Sequence, residues 1–288
     1  MKNHPKDAVP VQALLMPRYL IWVGKILQLI SPKLASRFAA RLFLTPFKFP
    51  RPKREQLMFE NAKIESLVVP AINREIIVYH FGDSKEKILL CHGWSGSGTQ
   101  LSKIAEDIVS RGYSTISFDA PAHGDASGKI SMMPFFIEAI KFLHQTYPFH
   151  SAIGHSLGGM SLLKCVSDGL PLKRICIIGT ANSVTHITKD FVKNLQLKPK
   201  IAIYLKNYLD GKFQQDLNTY SGATSAQGVT IPTLVIHDKN DVDVHYSSSE
   251  EIDSALENGK LLLTEGLGHR RILGDPNVIK HISEFVLV

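Results

Sequence analysis

Six short apolar runs alternate with stretches of helical spacing across the middle and end of this chain. The runs cover 88–91, 115–118, 151–154, 175–178, 233–237 and 261–263, and helical patterns fill most of the gaps, at 101–110, 135–146, 157–166 and 247–256. A run of strand length with no polar alternation is buried on both faces. Such strands, each followed by a helix, specify a mostly parallel sheet with helices on both sides. One interval departs from the rhythm. Residues 182–228 hold several helical patterns and the side chains Phe191, Leu195, Ile203, Tyr204, Tyr208 and Phe213. They are expected to form a helical cap inserted between two strands. Ahead of the alternation, the β-rich segments 67–69 and 76–79 flank Pro70-Ala71-Ile72-Asn73-Arg74, which predicts an antiparallel hairpin.

Charge divides the chain at its N-terminal end. Residues 1–54 carry 11 Lys and Arg against one acid, Asp7, while the rest has a net charge of −3. The basic character therefore belongs to a helical extension and linker, 1–54, and not to the domain expected over 55–288. A basic arm alone does not read a nucleic-acid groove, so no nucleic-acid partner is expected. Within the extension, Pro17 suits a first helical turn, Ser31-Pro32 starts a second helix, and Thr45 to Pro52 reads as an extended linker. The most apolar stretch, 11–30, is interrupted by Gln12, Pro17, Arg18, Lys25 and Gln28. It lacks the roughly 18 continuous apolar residues of a membrane span, and Arg18 spoils it as a secretory leader. Two readings remain for the extension. One is a helical pair packed on the main domain with its cations solvated. The other is an interfacial anchor that sets Leu14, Leu15, Tyr19, Ile21, Trp22, Ile26, Leu27 and Ile30 against anionic lipid. The three cysteines, Cys91, Cys165 and Cys176, lie in apolar runs without a CxxC pair. Buried thiols in a reducing compartment are expected, hence a cytoplasmic protein, peripheral to the inner membrane face if the anchor reading holds.

The chemistry-bearing residues fall at strand ends. After the run 151–154 comes Gly154-His155-Ser156-Leu157-Gly158-Gly159, a G-x-S-x-G pentapeptide between a strand and a helix. A serine on so tight a turn projects its hydroxyl above the sheet edge, and glycines admit the close backbone approach. The N–H of Leu157 would then face a developing oxyanion at a helix N-terminus. The run 88–91 ends in His92-Gly93-Trp94-Ser95-Gly96-Ser97-Gly98, a loop able to turn the Trp94 N–H inward as a second donor. His92 is expected to be structural, and the missing Gly-Lys-Ser/Thr argues against a phosphate loop. The run 233–237 leads into Asp238, Asp241 and Asp243, three candidate carboxylates. Asp238 suits a turn cap and Asp243 suits solvent. After the last run, Gly266-Leu267-Gly268-His269 lets a loop swing an imidazole over the sheet edge, whereas His281 lies in a terminal helix.

Taken together, His92-Gly93-Trp94, Gly154 to Gly159, Asp241 and Gly268-His269 resemble the α/β-hydrolase superfamily from about residue 64 to the end. Asp119-Ala120-Pro121-Ala122-His123-Gly124 resembles that superfamily's D-x-P-x-H-G-x-S loop, with the serine displaced to Ser127. This form and the Thr45-Pro46 linker resemble a bacterial subgroup of it. The resemblance implies an α/β-hydrolase fold and a triad in the chain order Ser156, Asp241, His269. It also selects Asp241 among the three acids. The expected activity is hydrolysis of a small-molecule carboxylic ester through an acyl-enzyme, with backbone donors Trp94 and Leu157 and with no metal or cofactor. Acyl transfer, thioester hydrolysis and carbon–carbon bond hydrolysis use the same triad, and a non-catalytic binding protein is the reading from another class.

Overall fold

The computed structural model describes residues 16–288. Leu14 and Leu15 of the apolar N-terminal stripe lie outside the described residues. Among the described residues the strands form one eight-stranded sheet in the order β1-β2-β4-β3-β5-β6-β7-β8. β1 (Lys63–Val69) and β2 (Arg74–Phe81) make the expected hairpin, and β2 pairs antiparallel with β4 (Ser114–Asp119). From β4 onward every pairing is parallel, through β3 (Lys87–Cys91), β5 (Ser151–His155), β6 (Arg174–Ile178), β7 (Thr233–Asp238) and β8 (Gly259–Thr264).

Alternation along each strand decides which core a side chain joins. Ile88 and Leu90 of β3 pack on one side with Ile104 and Ile108 of α4 (Ser102–Ser110) and Ile282 and Val286 of α12 (Pro276–Val286). Leu89 and Cys91 turn to the other, toward Phe136 of α5 (Met133–Thr146) and Leu162 of α6 (Leu157–Ser167). Burying each such side chain is worth about 1.5–3 kcal/mol relative to exposure, so the apolar runs could not sit at a wet face. All three cysteines are buried and free.

The interval 182–228 folds as α7 (Val184–Asn194), α8 (Lys200–Phe213), a 3₁₀ turn (Leu217–Tyr220) and α9 (Gly222–Ala226), between β6 and β7. The remaining helices are α1 (Arg18–Ile30), α2 (Pro32–Phe43), α3 (Gln56–Asn61), α10 (Ser247–Ala255) and α11 (Gly268–Arg271). Ser31 caps α2 by accepting from the Leu34 N–H at 3.5 Å. α2 packs on α8 of the cap; Phe43 meets Phe191 of α7 edge-on at 5.1 Å, and Lys198 N, in the loop before α8, donates to Gln28 Oε1 of α1 at 2.9 Å. The extended linker is tied to the sheet edge, since Phe47 N donates to Ser95 Oγ at 2.9 Å and Arg51 pairs with Asp125 at 2.8 Å. None of the described helices is long and apolar enough to cross a membrane.

Candidate active site

At the end of β5 the backbone turns sharply into α6, and Ser156 at that corner has φ 52° and ψ −114°. A non-glycine residue there stores about 1–3 kcal/mol of strain, retained only when the surroundings hold it. They do so through backbone: Ser156 N donates to Ile178 O at 2.8 Å, and Met160 N donates to Ser156 O at 3.2 Å. A Cβ on Gly154 would come within 2.6 Å of Gly158 C, and one on Gly158 would run into Cys91 O. The two glycines are required by space.

The β7 and β8 loops meet beside this corner. Asp241 is buried, and its Oδ1 accepts the N–H groups of Asp243 and Val244, both at 2.9 Å. Its Oδ2 accepts from His269 Nδ1 at 2.6 Å. A second imidazole, that of the fully buried His237, brings Nε2 to 3.2 Å from the same oxygen while also lying 3.0 Å from Val244 O. Burial alone would raise the Asp241 pKa, but hydrogen bonds from His237, His269 and Val244 outweigh it and hold the carboxyl well below its ordinary value. The acid is ionised, so His269 Nδ1 is the donor in this pair. Asp238 staples the two loops, since its Oδ2 accepts from Thr264 Oγ1 at 2.8 Å and Leu267 N at 3.0 Å. Gly266 and Gly268 take φ 88° and 66°, the left-handed turns that carry His269 over the sheet edge.

Ser156 and His269 line one cavity of about 400 Å³, together with Trp94 and Leu157. No hydrogen bond joins Ser156 Oγ to His269 in this structure. The N–H groups of Trp94 and Leu157 have no protein acceptor among the described residues, and Leu157 opens α6, where helical N–H groups are left over. Three residues with a large influence on this arrangement, His155, Gln100 and His237, carry no signal of it in the sequence. His155 lies between two acceptor oxygens, with Nε2 2.9 Å from His269 O and Nδ1 3.3 Å from Gln100 Oε1, and its single N–H donates over the shorter contact, to His269 O. Gln100 Oε1 in turn accepts the Gly93 N–H at 2.9 Å. His155 thus links the serine corner, the Trp94 loop and the His269 loop. Burial, reinforced by the nearby His269, holds its pKa well below the usual histidine range. His237 reads in sequence only as the end of an apolar strand, and His155 only as the variable position of a pentapeptide.

His92 behaves as expected of a structural group. Its Nδ1 lies 2.7 Å from Gly93 O, and its Nε2 accepts the Ala120 N–H at 3.1 Å. Burial lowers its pKa to about 4. Asp243 departs from expectation. It lines the cavity with its side chain 3.6 Å from Arg270, because the turn around Asp241 Oδ1 points the next carboxylate inward. Much of the lining is apolar, with Met132, Met133, Met160, Leu209 and Phe213. Phe43 and Leu44 at the end of α2 complete it. Among the described residues no cluster of three His, Cys, Asp or Glu could hold a metal ion.

Comparison with known proteins gives two family matches. A profile described as the alpha/beta hydrolase fold matches residues 87–200, and one described as TAP-like protein matches residues 214–288. No curated protein matches the chain. Among solved structures, the esterase PF2001 of Pyrococcus furiosus is similar at TM-score 0.64 and 16% identity, over 85% of this chain and 97% of that one. A membrane phospholipase A described as a bacterial virulence factor is similar at TM-score 0.61 and 16% identity, over 94% and 98%. A bromoperoxidase from Bacillus anthracis is similar at TM-score 0.60 and 16% identity, over 78% and 99%. At such identities the likeness is one of fold.

Proposed function

Since this chain belongs to the α/β-hydrolase superfamily, we propose that it hydrolyses a carboxylic ester through an acyl-enzyme on Ser156. The observation that carries this reading is the buried, ionised Asp241 bonded to His269 in the wall of the cavity that Ser156 also lines. In this reading Asp241 holds the Nδ1–H tautomer of His269 and stabilises the imidazolium that forms in turnover. The Ser156–His269 hydrogen bond forms in the substrate complex, as is common where the free site is loose. Oγ then attacks the acyl carbon as its proton passes to Nε2, and the oxyanion takes the N–H groups of Trp94 and Leu157. Collapse of the tetrahedral adduct expels the alcohol, which leaves with that proton. Water attacks the acyl-enzyme, gives a proton to Nε2, and the carboxylic acid departs as Oγ–H is restored.

The apolar part of the lining supports an acyl chain on the substrate, and Arg270 and Asp243 support a more hydrophilic alcohol. The three free, buried thiols support a reducing, cytoplasmic setting. An active-site phosphonate tests the nucleophile. Wild type is expected to take one adduct at Ser156. An unlabelled wild type, or equal labelling of Ser156→Ala, overturns the assignment.

A further inference from the structure

Helix α1 wears its apolar face outward. Residues of a helix advance about 100° each, so Tyr19, Trp22, Val23, Ile26, Leu29 and Ile30 share one side. All six are exposed, with Trp22 at 66%, Leu29 at 77% and Ile30 at 68%. The opposite side faces the protein: Gly24 is buried against Leu197 and Phe38, and the polar Gln28 points inward onto Lys198. A surface helix in water shows the reverse polarity, and a contiguous apolar patch of this kind marks an interaction surface. Leu34 of α2 is also exposed, as are Ile203 and Tyr204 of α8, on which α2 packs.

The charge around the patch says what covers it. Residues 16–54 contain nine Lys and Arg and no Asp or Glu. On α2, Lys33, Arg37 and Arg41 recur at four-residue spacing, which forms one exposed row along the helix. Neither these three nor Arg18 has an ion-pair partner among the described residues. We infer that this face of α1, with the basic row of α2, seats on an anionic lipid surface. At 13 residues α1 is about 20 Å long, too short to span a bilayer, so it lies in the interfacial plane with Trp22 and Tyr19 at headgroup depth. A second copy of this chain is the weaker occupant. A two-fold contact through α1 would bring the unpaired basic row of each copy toward the other. The docked helix α1 packs on α2, whose end, Phe43 and Leu44, lines the cavity. On the ester-hydrolase reading, esters held in the membrane are then the nearest substrates.

The full chain is tested by co-sedimentation with vesicles of phosphatidylcholine alone and of phosphatidylcholine with phosphatidylglycerol. Three proteins are compared: wild type, a W22S/I26S/L29S variant and a K33Q/R37Q/R41Q variant. Wild type should sediment with the anionic vesicles, the apolar variant should lose about tenfold or more of that partitioning, and the charge variant should lose the preference for phosphatidylglycerol. These side chains leave the core untouched, so thermal melts should match wild type. Sedimentation of all three alike, absence of wild type from both pellets, or a dimer that the W22S/I26S/L29S variant abolishes would each overturn the inference. Ser156→Ala should sediment like wild type, which separates docking from the nucleophile assignment. Hydrolysis of a soluble p-nitrophenyl ester should be unchanged in the W22S/I26S/L29S variant, while hydrolysis of an ester held in anionic vesicles falls about tenfold or more.

Discussion

The rim of the sheet and the roof above it are built on different principles. At the rim, directional hydrogen bonds hold the residues in place. Ser156 is pinned by Ile178 O, Asp241 receives two backbone N–H groups and two imidazoles, and His155 joins three loops. The roof, made of α7, α8 and the α1–α2 pair, is held by apolar contact such as Phe43 on Phe191 and leaves large apolar side chains exposed. Hydrogen bonds are directional and fix atoms to tenths of an ångström, whereas apolar burial scales with area and tolerates many arrangements. The difference teaches where chemistry and selectivity are expected to separate: the rim sets the reaction and the roof sets what enters.

Substitutions can break or sharpen that division. The largest effect is expected from Ser156→Ala, a loss of about 10⁶-fold in kcat with the fold intact, read by ester turnover and circular dichroism. Asp241→Asn should follow with about 10⁴-fold, because the geometry survives while the His269 tautomer is lost. A roof substitution of comparable cost would dissolve the distinction.

The rim also carries a pH liability of its own. His92 is buried and kept neutral down to about pH 4, whereas the unfolded chain takes up its proton near pH 6.5. Its contribution is complete above about pH 6.5 and declines as pH falls toward 4, by up to about 3 kcal/mol for this one group. His155, lowered in the same direction, adds to the slope. Denaturant melts between pH 7 and 4 read it. A His92→Gln variant whose stability falls just as steeply would show that the charge lies elsewhere.

His155→Leu removes the hydrogen bond to His269 O while Ser156, Asp241 and His269 keep their own side chains. A fall in kcat of about tenfold with KM nearly unchanged is expected, the cost of about 1.4 kcal/mol in loop position. The smallest effect belongs to the roof. Phe43→Ala should change KM a few-fold, by about 1 kcal/mol or less, and shift the preferred acyl length upward in a p-nitrophenyl ester series while leaving kcat on short esters alone. If kcat on the short esters falls with KM, α2 takes part in positioning the rim.

Much of the rim is legible in the amino-acid sequence. The G-x-S-x-G corner, the loop after β7 and the glycine-flanked His269 are local patterns, because a tight turn forces its residue types on the sequence nearby. The contacts that are not legible depend on how loops fold. His155 contacts His269, which is 114 positions away, and His237 reaches Asp241, four positions on, only because the loop after β7 folds back. Asp243 reads as a solvated carboxylate but is folded inward by the turn around Asp241. None of these has a local signature, since a histidine in an apolar strand or a variable position in a motif is compatible with many partners.

Periodicity and turn chemistry were enough, from the sequence by itself, for the alternating β/α architecture, the place of the cap and the residues gathered at the strand ends. They act between neighbours along the chain, where backbone sterics leave few choices. Tertiary structure alone decided which way α1 faces, that the end of α2 enters the cavity wall, and how the loops interlock around Asp241. Those outcomes depend on which surfaces meet, and a helical period is the same whether its apolar side turns toward a core or away from it.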